Sequence, residues 1–91
     1  MNIQERFEEF HHANPHVYQE LVQLCREAVG NGKERIGVRM VWEVARWNLI
    51  VRTRQNSDFK LNDHYHSRYA RLIMEQEPDL QDIFELRTLK A

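Results

Sequence analysis

Two stops govern this chain, Asn14-Pro15 and Gly30-Asn31-Gly32. Proline has no backbone N–H to donate and its ring clashes with the preceding turn, so no helix passes undisturbed through position 15. Glycine tolerates the left-handed conformation in which helices end, so a second stop falls at 30–32. The N-terminal third is thereby cut into two helices. The first follows Asn2 as N-cap and sets Ile3, Phe7 and Phe10 at i, i+4 and i+7. The second takes Asn14 as N-cap and Pro15 at its first position, and turns Val17, Leu21, Leu24, Cys25 and Ala28 to one side.

The remaining pattern predicts a third helix over about 35–48, with Val38, Val41, Trp42, Ala45 and Leu49 as its apolar stripe. From Leu49 the period changes. Leu49, Val51 and Thr53 alternate with Ile50, Arg52 and Arg54, Gln55 to Asp58 reads as a turn, and Phe59 and Leu61 alternate with Lys60. That pattern predicts a short β-hairpin over 49–61, with a helix continuing through Arg54 as its competitor. Asn62 caps a further helix to about Glu77, stopped by Pro78. On it Tyr65, Tyr69, Leu72, Ile73 and Gln76 share one face, while His64, Arg68, Arg71 and Glu75 share a neighbouring one. Leu80, Ile83, Phe84 and Leu86 make a last apolar turn. The expectation is a single domain over 1–91, mainly α with one short β-hairpin. Two N-terminal helices fill 1–32, a helix and hairpin fill 33–61, and a helix and C-terminal turn fill 62–91. The order of helices and wing is winged-helix-like.

Ninety-one residues suffice for one small core, and a homo-oligomer is an ordinary way to add buried surface. No apolar run reaches the length of a membrane span, and MNIQERFEEF is too acidic for a signal peptide. Cys25, the single cysteine, excludes an internal disulfide and fits a reducing cytoplasm.

The formal net charge of −1 conceals segregation. Residues 1–32 carry two arginines against five glutamates, residues 33–71 nine cations against four acids, and residues 72–91 two cations against five acids. Such a distribution points to a cationic surface for an anion, or to acidic ends folded over a basic middle.

Catalytic signatures are thin. No glycine-rich phosphate loop or nucleophile elbow occurs, and Cys25 lies on an apolar stripe, where it reads as a small hydrophobe. Glu43 with His64 or His66 is the one acid–base pairing available, and no spacing joins them. His12 and His16 stand at i, i+4, but Asn14-Pro15 breaks the helix between them, and His64 and His66 point apart. Neither an enzyme nor a metal or other cofactor is expected.

The clearest functional signal is the basic set Arg39, Arg46, Arg52, Arg54, Lys60, Arg68 and Arg71, joined by His64. Trp47 falls outside the core stripe: it packs under the hairpin or at a dimer contact, or else is available to stack on a base or fill a partner's groove. In a winged-helix layout Arg39, Arg46 and Trp47 face the ligand, and Arg52, Arg54, Lys60, Arg68 and Arg71 take phosphates.

The segments RMVWEVARWN (Arg39–Asn48), FKLND (Phe59–Asp63), YARLIMEQEP (Tyr69–Pro78) and FELR (Phe84–Arg87) resemble, in order, a recurrent group of small uncharacterised bacteriophage and prophage proteins. The likeness covers most of the chain after Gly30. It departs at Asp63, where the group often has a second Asn. The resemblance implies a bacterial host cytoplasm and supplies neither a catalytic residue nor a ligand. The leading functional expectation is a nucleic-acid-binding protein that uses the basic centre. The alternative is a phage counter-defence or interaction protein that binds a host protein or sequesters a small anionic nucleotide. The two separate by salt dependence, which is steep for a duplex.

Overall fold

The computed structural model describes residues 2–52 and 63–84, with the side chain of Asp63 excepted. The first helix, α1 (Ile3–Ala13), starts as its sequence dictates: the Asn2 side chain accepts the Glu5 backbone N–H at 2.8 Å. Helix α2 (Pro15–Gly30) places Pro15 in its first turn, where a missing N–H costs nothing. Asn14 stands at the predicted N-cap position of α2, where its carbonyl accepts the Val17 N–H at 3.1 Å, while its side chain closes α1. Its backbone N–H and its Nδ2 both donate to the Phe10 carbonyl, at 2.9 and 3.0 Å. The amide thereby serves one of the last carbonyls of α1, the group that a helix end leaves without an intrahelical donor.

The Gly30-Asn31-Gly32 stop forms as expected. Gly32 adopts φ 85°, its N–H reaches the Val29 carbonyl at 3.0 Å, and the Lys33 N–H reaches that of Ala28 at 3.0 Å. The two bonds make a Schellman closure. The chain then runs extended to Gly37, because Ile36 pairs as a single parallel bridge with Phe84, its N–H donating to the Ile83 carbonyl at 2.8 Å. Helix α3 therefore begins at Val38, later than the predicted start near 35, and runs to Trp47.

The predicted hairpin is overturned by the backbone after Trp47. Asn48–Arg52 continues α3 as one wide π turn, so the first expected strand is helical as far as Arg52. The remainder of the hairpin, 53–61, lies outside the described residues. Alternation at 49–52 misled because a half-buried strand needs one face inside. Here Leu49 is half-buried while Ile50, Val51 and Arg52 all stay exposed. Leu49 instead extends the helical stripe of Val41, Trp42 and Ala45, and Asn48 Nδ2 anchors the turn to Glu20 of α2 at 2.7 Å. Among the described residues there is no strand beyond the Ile36–Phe84 bridge, and the winged-helix reading loses its wing. Apart from that bridge, the elements of the described residues are all helical.

A short 3₁₀ turn, Asp63–Tyr65, leads into α4 (His66–Gln76), and Pro78–Leu80 makes a further 3₁₀ turn. The Asn62 cap and Leu86 lie outside the described residues. Trp42 and Tyr69, 1% and 0% exposed, form the centre of the core, with ring centroids 5.6 Å apart. Phe7 meets Tyr69 edge-on at 4.7 Å, Phe10 lies 5.1 Å from Tyr65, and Leu21, Ile73, Leu80, Ile83 and Phe84 close the cluster. The tyrosines of α4 are thus structural, as their spacing predicted; Leu72 is half-buried and Gln76 exposed. Burial pushes the Cys25 thiol up to about 11, as suits a packed hydrophobe. No helix among the described residues is long and apolar enough to cross a membrane.

Candidate nucleic-acid interface

The destination of the acids decides whether the central cations face solvent. Arg26 of α2 takes the acids that follow α4: its Nη2 donates to Glu77 Oε1 at 2.8 Å, and its Nε to Asp79 Oδ2 at 3.1 Å. The hydrogen bonds from Arg26 hold the Asp79 carboxyl below its usual range. Tyr18 donates its hydroxyl to Glu77 at 3.1 Å. Burial first, and then this bond, pushes the Tyr18 phenol up to about 12. These acids are therefore engaged by a cation of the N-terminal third, not by the basic middle.

Of the predicted site residues, Arg39 is exposed on α3. It lines a small cavity of about 70 Å³ with Trp42, Glu43 and His66, which puts it beside the first turn of α4. Arg46 is half-buried and pairs with Glu43 one turn earlier, at 3.6 Å. Arg52 is exposed in the π turn. Arg54 and Lys60 lie outside the described residues. His64 and Arg71 are exposed, and helical spacing puts them on one ridge with Arg68. Arg68 itself is half-buried, and its Nε is buried with no hydrogen-bond partner among the described residues. Donors of a cationic group are seldom left so.

Trp47 sits elsewhere. It is 58% exposed and belongs to a line of apolar side chains with Met40 and Val44 on the outer side of α3 and Val51 of the π turn that follows. The sequence reading weighed Trp47 alone and missed the line, although the spacing i, i+4, i+7, i+11 was there to be read. It also missed two orphaned polar atoms in the core. The Tyr69 hydroxyl and His11 Nδ1 are buried without partners among the described residues, their rings 5.8 Å apart. His11 lies flat against Phe7 and near Tyr18, and burial, with His12 second, lowers its pKa.

Compared with known proteins, the chain matches no family model, no curated protein and no solved structure.

Proposed function

We propose that this protein binds a polyanion, nucleic acid in the first instance, on the ridge formed by His64, Arg68 and Arg71 of the α4 region, with Arg39 of α3 beside it. The observation that carries the reading is the ridge itself: His64 and Arg71 are exposed and share one helical side with the half-buried Arg68. Phosphate oxygens suit such a row of cationic donors, and His64 and Arg71 extend the ridge one turn to either side of Arg68. Retention of Glu77 and Asp79 by Arg26 supports the same reading, because it keeps those carboxylates from neutralising the ridge. The phage or prophage setting, in the cytoplasm of a bacterial host, follows from the resemblance of the segments and is part of the proposal. The interaction-protein alternative draws on a different feature, the apolar line on α3.

The test is fluorescence anisotropy with a labelled DNA duplex and the matching single strand, at several salt concentrations. Affinity is expected to fall steeply with salt. Arg68→Ala with Arg71→Ala is expected to weaken binding by about 1–3 kcal/mol, the range for two charge-assisted contacts. Melting of the same preparation should stay within a few degrees of wild type. Undiminished binding by the double variant, or no binding at low salt, refutes the assignment.

A further inference from the structure

Helix α3 is apolar on two opposite sides. Val41, Trp42 and Ala45 face the core. On the far side Met40 is 58% exposed, Val44 42%, Trp47 58% and Val51 55%, and Ile50 at 47% borders them. A helix that is apolar on both sides is normally covered on both. These exposures leave on the order of 500 Å² of apolar side chain in one line, the size at which a surface patch marks an interaction site. A shallow groove that Leu24, Val44 and Trp47 line together with Glu27, Glu43, Asn48 and Arg52 continues the line toward α2.

We infer that a second copy of this chain covers the line, through antiparallel pairing of α3 with α3. Area is the first argument. Two such patches bury roughly 1,000 Å² before any rim is counted, within reach of a specific interface. Charge is the second. Arg39, Glu43 and Arg46 run beside the apolar line at i, i+4 and i+7. In an antiparallel pair related by a two-fold axis, this flank meets the same flank of the other copy. Glu43 of each copy then faces Arg46 of the other, twice over. In that one register Met40 settles between Trp47 and Val51 of the other copy, and Trp47 settles between Met40 and Val44. The apolar line and the charges therefore agree on a single alignment. Within one chain, Glu43 and Arg46 approach to 3.6 Å, longer than a charge-assisted hydrogen bond. This inference shares only Arg39 with the polyanion proposal, whose other residues belong to the α4 region.

The test is sedimentation equilibrium of the full chain over a wide concentration range. Wild type is expected at twice its 11.1 kDa chain mass. Val44→Glu, or Met40→Lys as a second and separate variant, should shift it to the monomer with helical circular dichroism unchanged, since both side chains are exposed. Glu43→Arg alone and Arg46→Glu alone should each raise the dimer dissociation constant at least tenfold. Combined, they should restore it, because the exchanged charges face each other again. A wild-type monomer at every concentration overturns the inference, as does a dimer indifferent to Val44→Glu and Met40→Lys. A dimer broken by these changes but not rescued by the double exchange overturns the antiparallel register. Should only a different protein protect α3 from exchange, the second copy is the wrong occupant.

Discussion

Tyr69→Phe should stabilise this protein, and the sign of the effect is the point. The Tyr69 side chain is fully buried, against Phe7 at 4.7 Å and Trp42 at 5.6 Å, and its hydroxyl has no partner among the described residues. Burial holds its phenol well above the ordinary range. Burying a hydroxyl without a hydrogen bond costs about 1–3 kcal/mol. Removing the oxygen leaves a void of roughly 15 Å³, and at about 24 cal/mol per Å³ that costs about 0.4 kcal/mol. The balance is a gain of roughly 0.6–2.6 kcal/mol, at about 4–8 °C in melting temperature for each kcal/mol in a domain of this size. Tyr18→Phe is the matched control, since it deletes the same atom where the hydroxyl donates to Glu77 at 3.1 Å. It should destabilise by about 0.5–1.5 kcal/mol. Urea unfolding of the three proteins at 25 °C, with thermal melts alongside, reads both signs. If Tyr69→Phe loses about 1 kcal/mol or more, the hydroxyl has a partner and the reasoning fails.

Three further outcomes are expected. Trp42→Ala should cost about 3–5 kcal/mol in urea unfolding, because the indole is 1% exposed at the centre of the core; a melt within a few degrees of wild type would contradict that placement. Gly32→Ala should cost about 1–2 kcal/mol through the left-handed φ of 85° alone, since nothing stands within 4 Å of the added Cβ; a neutral result would mean that the Schellman closure opens at no cost. Stability should fall as pH drops below about 6.5: His11 binds its proton less readily folded than unfolded, so the unfolded chain gains protons first. The Asp79 carboxyl, also lowered, adds a second loss as pH falls through and below the ordinary carboxylate range. Urea midpoints measured from pH 8 down to pH 3 give the profile, and His11→Gln should flatten its upper limb only.

What the sequence made legible, and what it hid, divides by the range of the interaction. Asn2, Pro15 and the Gly30-Asn31-Gly32 stop act on backbone within one turn of themselves, and α1 and α2 have the predicted ends. The stripe of Val41, Trp42 and Ala45 is likewise a local period, and it is buried as predicted. Asn14 holds the predicted N-cap position of α2, but its amide bonds back into α1, because either neighbouring helix could use it and only geometry decides between them. The segment at 49–52 carries β-branched residues whose local preference is for strand, and packing of Leu49 together with the Asn48–Glu20 bond overrode it. At the candidate site, the split of α4 into a buried tyrosine face and a cationic ridge was readable from spacing. The choice of Arg26 as the partner of Glu77 and Asp79 was not, because it joins positions 51 and 53 residues apart.

The bridge between Ile36 and Phe84 has a consequence for how the chain folds. Most contacts in a helical protein are local, and its helices can form and fray one at a time. Here one backbone hydrogen bond joins residues on either side of α3 and α4, and Leu80, Ile83 and Phe84 bury their side chains at the same place. Closing so long a loop is slow and is repaid only when the core beneath it is complete. The helices are therefore expected to be won or lost together, with amide exchange at Ile36 as slow as that in the middle of α2.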